Sequence, residues 1–305
     1  MSFYARTAGH TVPLYCFDGA VHSVFTHACN LRLGGGRLVT LLTEDQSDLP
    51  QGIRLATPAG FSFGSLGLQS GQVVKSRDGV LTFAGSALMI DLGTAQPWQV
   101  DLTQRPVDLG DPAVRRAFQE VWQQWSTCRP PEGELVVQLQ GRIGELLTTL
   151  QEAAGRYDRA QAQQAAAGLI GLGAGLTPSG DDVLVGFLAG LWATAADRPG
   201  RRVFLEAFAA TIVALAERTN EISRSFLWNA ARGEFSSALA NLVQAIAYGA
   251  DSPMVEQTTA AALRVGHRSG RDSVAGLLAG LQAWPPGEEI GDGSRARSKI
   301  RVNQQ

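Results

Sequence analysis

Residues Gly171 to Asp182 read GLGAGLTPSGDD, a run of spaced glycines closed by Thr-Pro-Ser-Gly and two adjacent carboxylates. Three chemistries compete for it: a phosphate cradle, a metal site, or a helix start with no chemistry at all. The spacing of Gly175 and Gly180 is that of a P-loop, but Asp181 and Asp182 stand where its Lys and Ser/Thr belong. Without the lysine, β- and γ-phosphates are not neutralised in the usual way, so a conventional ATPase is not expected. A dinucleotide fingerprint would need a strand just before the glycines, and the preceding RAQAQQAAAG is helical in composition. Neither cofactor motif survives, and no cofactor is expected. As a plain helix start, Thr177 would be the N-cap, Pro178 would suit the first turn, and the aspartates would complement the helix dipole. That reading leaves the glycines unexplained. Glycines ahead of a helix expose backbone N–H groups, which is what anion binding needs. Gly173, Gly175, Thr177, Ser179 and Gly180 are therefore the expected anion binders, with Asp181 and Asp182 as base or orienting carboxylates.

A second stretch answers the first. Residues 179–193 read SGDDVLVGFLAGLWA and residues 269–283 read SGRDSVAGLLAGLQA, an offset of 90 residues. Each copy starts Ser-Gly-x-Asp and continues as an apolar helix with glycines four apart, Gly186 and Gly190 in one, Gly276 and Gly280 in the other. Residues four apart share a helix face, and a glycine face admits another backbone. The expectation is two related helices packed on each other, their polar N-termini meeting at one site. The second head, GHRSGRD, would bring His267, Ser269, Gly270, Arg271 and Asp272: a candidate acid or base, a cation for an anionic substrate, and another carboxylate. The stretch TNEISRSFL adds Ser223, Arg224 and Ser225 near a helix start. His22 and His27, read as one strand, would face opposite sides, so no metal site is expected from them.

These residues need a frame. Segments such as GRLVTLLT, GQVVKSRDGVLTFAG and SALMIDL are short, β-branched and broken by glycine or aspartate, and SRDGVL reads as a hairpin turn. From Asp111 the chain changes to helix formers, with Asp111 a cap and Pro112 behind it, and with Ser252 the expected cap of a later helix. Strands followed by helices predict an α+β fold: a β-rich N-terminal domain over 1–108, an all-helical C-terminal domain over 109–286 carrying the glycine motifs, and a loose tail over 287–305. The length of 305 residues, with 45% hydrophobic and 18% charged, suits one or two well-packed domains. A net charge of −2 gives no footprint for nucleic acid. The longest charge-free apolar run, Val183–Ala196, is 14 residues, short of the roughly 20 a membrane span needs. Three dispersed cysteines and the absence of a basic-then-apolar opening predict a cytoplasmic protein.

The motifs GLGAGLTPSGDDVLVG, TNEISRSFL and GHRSGRDSVAGLLAG, in that order after VHSVFTHACNL, resemble the AllH family over nearly the whole chain. That resemblance implies a subunit of oxamate carbamoyltransferase, which interconverts oxamate plus carbamoyl phosphate with oxalurate plus phosphate, in allantoin breakdown and with partner subunits. It implies small anionic substrates but assigns no residue a role. A scaffold subunit whose partner holds the active site, a sensor of carboxylate metabolites and a metal-assisted hydrolase or carboxylase remain alternatives.

Overall fold

A computed structural model describes residues 1–128, 134–195 and 198–284; the expected tail over 287–305 lies outside them. The N-terminal strands are β1 (Ser2–Gly9), β2 (Cys16–Val24), β3 (Ala28–Leu33), β4 (Leu38–Leu42), β5 (Gly52–Leu55), β6 (Val73–Arg77), β7 (Val80–Phe83), β8 (Met89–Asp91) and β9 (Gln96–Trp98). Their order is β5-β4-β3-β2-β6-β7-β8-β1-β9, and β5 also pairs with β1, which closes the sheet into a barrel. Closure removes the free edges that an open sheet would leave. The alternation of β6, exposed at Val73, Lys75 and Arg77 and buried at Val74 and Ser76, sends one face inward. Leu31, Leu41, Ile53, Leu55, Leu81 and Ile90 fill the interior. The Asp78-Gly79 pair turns β6 into β7 with φ of 51° and 77°, the left-handed conformations that such a two-residue turn requires.

The helices are α1 (Pro112–Thr127), α2 (Glu134–Gly155), α3 (Arg159–Leu169), α4 (Ser179–Ala195), α5 (Pro199–Leu215), α6 (Glu221–Ala231), α7 (Ser237–Ala247), α8 (Ser252–Leu263) and α9 (Ser269–Leu281). The architecture is thus α+β, strands first and helices after. Two caps differ from the sequence reading. Asp251, not Ser252, caps α8: it has extended backbone and its carboxylate accepts from the Met254 N–H, while Ser252 donates its hydroxyl to Glu120 at 2.9 Å. Thr177 does not cap α4 either. Pro178 occupies that position, its carbonyl accepting from the Asp181 N–H, which leaves the Thr177 hydroxyl free to point elsewhere.

The α4 helix is the axis of the helical half. Every one of its residues except Val185 and Trp192 is buried, as expected of a helix that is apolar all round. It runs parallel to α9, with Gly186 beside Ser273 and Gly190 beside Gly280. A Cβ on Gly186 would lie 1.8 Å from the Ser273 carbonyl oxygen, and one on Gly276 would lie 1.9 Å from that of Val183. Ser273 is Val183 plus 90 and Gly276 is Gly186 plus 90, so each copy presses its glycine onto the equivalent carbonyl of the other. Only hydrogen on Cα permits that distance. Parallel packing puts both helix heads at the same end.

The barrel sits on α6 and α7. Arg32 of β3 meets Glu221 at 2.6 Å, and His22 of β2 meets the same carboxylate oxygen at 2.9 Å. The buried Asn229 amide donates to Gln51 at 2.6 Å, and Asp48 and Ser237 exchange two hydrogen bonds of 2.9 Å. His22 and His27 do not share a strand, because His27 falls in the turn after β2, near Asp45.

Candidate functional site

The heads of α4 and α9 face a cavity of about 660 Å³ between barrel and helices. Asn30, Thr40 and Gln46 line it from the barrel side, and Thr177, Asp182, Asn229, Arg264 and Ser269 from the helical side. Thr177 and Ser269 join the two heads through a hydroxyl–hydroxyl hydrogen bond of 2.7 Å. Both hydroxyls also neighbour the Asp182 carboxyl and favour its charged form, as the Ser179 hydroxyl does for Asp272. The sequence offset turns this into a reciprocal swap: the aspartate of each head reaches the first serine of the other.

The two carboxylates are poorly solvated. Asp182 is 8% exposed, and one oxygen of Asp182 and one of Asp272 are buried with no hydrogen-bond partner. Burial pushes the Asp182 carboxyl up to about 8; the neighbouring Asp272 and Asp181 charges add to the rise, and the Ser269 and Thr177 hydroxyls oppose it. Burial raises Asp272 as well, against the Ser179 hydroxyl and the charges of Arg268 and Arg271. Two acids pressed together in a dry site do not both ionise readily, which is the arrangement by which proteins hold a proton for transfer near neutral pH.

The remaining sequence candidates separate into those at the cavity and those turned from it. Asp181 is 1% exposed and fully engaged: Gly171 N–H donates to it at 2.7 Å and the Thr219 hydroxyl at 2.6 Å. It fastens the glycine loop to the start of α6. Gly173 and Gly175 have φ of 125° and 100°, and a Cβ on Gly173 would lie 2.8 Å from the Ser179 nitrogen, so their glycine identity follows from the loop's path. Gly180 and Gly270 spend their N–H groups on the Leu172 and Val265 carbonyls. They let each head tuck against the end of the preceding helix.

Arg271 turns towards α1, where its guanidinium donates to the Trp125 carbonyl at 2.9 Å and to that of Cys128, and lies over the Trp125 ring. Arg224 is paired with Glu217 at 2.9 Å and covers Trp228. Ser223 is buried with an unpartnered hydroxyl, while Ile222, Phe226 and Asn229 are the α6 residues on the cavity. His267 is exposed and off the cavity wall. Asp272 lies behind Asp182, outside the lining.

Sequence reading missed Arg264, Asn229 and the barrel wall. Asn30 did carry a signal, a polar residue in the otherwise apolar ACNL of β3. It is held by Thr40 at 2.8 Å and by Ser23 at 3.0 Å. Among the described residues no group of three or more His, Cys, Asp or Glu side chains is placed to hold a metal ion, and no helix is long and apolar enough to cross a membrane.

The chain is thus a closed barrel docked on a helical bundle, with buried acids at the seam between them. Residues 2–97 match the family model for the AllH family N-terminal domain, and residues 169–281 match that for oxamate carbamoyltransferase subunit AllH. The chain belongs to the AllH family, that of a transferase subunit. No solved structure matches it.

Proposed function

We propose that this chain is the oxamate carbamoyltransferase subunit in which carbamoyl transfer takes place, with the seam cavity holding the substrates and Asp182 moving the proton. The single observation that carries the reading is Asp182 itself: a carboxyl on the cavity wall, buried, one oxygen unpartnered, with its affinity for a proton raised far above the ordinary range. The amide nitrogen of oxamate is a weak nucleophile. A carboxylate that binds protons near pH 8 is a stronger base than an exposed one and matches the task better. In the forward step the oxamate nitrogen bonds to the carbamoyl carbon, the bond from that carbon to the phosphate oxygen breaks, and the nitrogen's proton passes to Asp182. Phosphate leaves with the bonding electron pair, and the Asp182 proton is released to solvent. In reverse the protonated Asp182 returns the proton to the departing amide nitrogen.

Ser269 and Thr177 orient the Asp182 carboxylate. Asp272, through its own charge, keeps Asp182 basic. Asp181 and the glycines shape the loop that brings Thr177 to Ser269. The test is Asp182→Asn in the assembled transferase: turnover should fall by about 100-fold or more, the usual scale for a lost acid or base, with secondary structure unchanged. Full turnover would assign the chemistry to a partner subunit and leave this chain a scaffold.

A further inference from the structure

The cavity has an unequal charge inventory. Among the described residues its wall carries three carboxylic acids, Asp45, Asp182 and Glu234, and a single Arg or Lys, Arg264. Glu234 is already paired with His10 at 3.0 Å and with Arg232 at 3.3 Å. Asp45 accepts from Thr43 and Gln46, and those bonds and the nearby His27 keep its carboxyl below the ordinary range. None of the ion pairs among the described residues uses Arg264. Arg264, the C-cap residue just after α8, is exposed and lines the same space as Asp182. The short segment from Val265 to Arg268 then leads into the head of α9, so Arg264 and Ser269 are fixed by one connection.

An anion entering this cavity meets acids on both walls. It needs a cation with two parallel donors to be held in one orientation, and a guanidinium supplies them. We propose, resting on the reading of Asp182 above, that Arg264 anchors the anionic end of the substrate, a carboxylate or phosphate oxyanion, so that its reacting end faces Asp182. The arginines that the sequence offered for this role, Arg224 and Arg271, are spent on Glu217 and on α1. A cation at the end of α8 would also gain from the helix dipole, and that role alone would change melting temperature without touching substrate affinity.

The experiment uses the assembled transferase and measures KM for oxamate and for carbamoyl phosphate separately, in the native enzyme, Arg264→Ala and Arg264→Lys. Loss of a charge-assisted pair corresponds to about a 10- to 100-fold rise in KM. The expected result is that rise for one substrate in Arg264→Ala, with kcat within a few-fold of native and partial recovery in Arg264→Lys. The substrate affected identifies the group held, carboxylate if oxamate and phosphate if carbamoyl phosphate. Inhibition by inorganic phosphate should weaken in parallel only in the second case. Both KM values within twofold of native would overturn the proposal. If Arg264→Ala does not fold, Arg264→Gln carries the same comparison. Asp182→Asn run alongside separates the two ideas: an inactive Asp182→Asn with an unaffected Arg264→Ala sinks the anchor alone, whereas an active Asp182→Asn sinks the reading beneath it.

Discussion

The raised proton affinity proposed to make Asp182 a base also costs stability wherever its charge must be buried, and that cost is measurable. A carboxyl that titrates near pH 8 when folded and near 4 when unfolded binds more protons in the folded state throughout that window. The stability that protonation adds, relative to burying the charged form, is therefore fully present below about pH 4, falls as pH rises through the window, and is gone above about 8, where the folded state must bury the charge. Replacing it by Asn, which keeps the shape and removes the titration, should leave melting near pH 4 little changed. The variant should be more stable than native at pH 8, by a few kcal/mol. Thermal melts of both proteins across pH 4–9 check this. A variant destabilised equally at every pH would mean that Asp182 is an ordinary structural acid. A gain in stability with a loss of turnover is the expected signature of a strained catalytic group. At this scale the sequence was partly legible. The pairing of Asp182 with Asp272 could be inferred from the matched Ser-Gly-x-Asp heads. The different fates of Asp181 and Asp182 could not: adjacent positions on a helix start point some 100° apart, and only the surrounding elements decide which one meets the cavity.

Among the elements, the α4–α9 pair carries the proposed site, and its glycines make a sharp contrast with others. Gly276→Ala would place a Cβ 1.9 Å from the Val183 carbonyl, a clash with backbone that only separation of the two helices relieves. It should cost more than about 3 kcal/mol, or prevent folding, as severe overpacking does. Gly141→Ala on α2 meets nothing within 4 Å and should raise stability by about 0.5–1 kcal/mol through helix propensity. Denaturant unfolding of the two variants tests both signs at once. The four-residue glycine spacing made this packing readable, because period and face are local properties of a helix. The direction of Arg271 was not readable, because it depends on where α1 lies, whose Trp125 is 146 residues earlier in the chain. Arg224 and His267 failed to reach the cavity for the same reason: proximity to a motif in sequence does not set which way a side chain turns.

The whole molecule makes the cavity, since neither half encloses it alone. Succession of strands and helices gave the α+β class, yet nothing local to the barrel sequence says that its β3–β4 side will rest on α6. That docking depends on Glu221 accepting from both Arg32 and His22, and on Asn229 meeting Gln51. Glu221→Ala should therefore loosen the seam. Because the Glu221 ion pairs are partly exposed, the expected loss of stability is small, on the order of 1 kcal/mol, while KM for the substrates should rise several-fold. Melting and steady-state kinetics on one preparation distinguish this from a change that affects stability alone.

On the proposed reading Asp182, kept basic by burial and by Asp272, moves the proton in the transfer. The most direct test of that reading is the pH dependence of kcat/KM for the assembled enzyme, native and Asp272→Asn. The native profile should rise with an apparent pKa near 8, and Asp272→Asn, by removing a neighbouring negative charge, should shift that rise to lower pH. A native profile flat between pH 6 and 9, or a rise that Asp272→Asn leaves unmoved, would contradict the account.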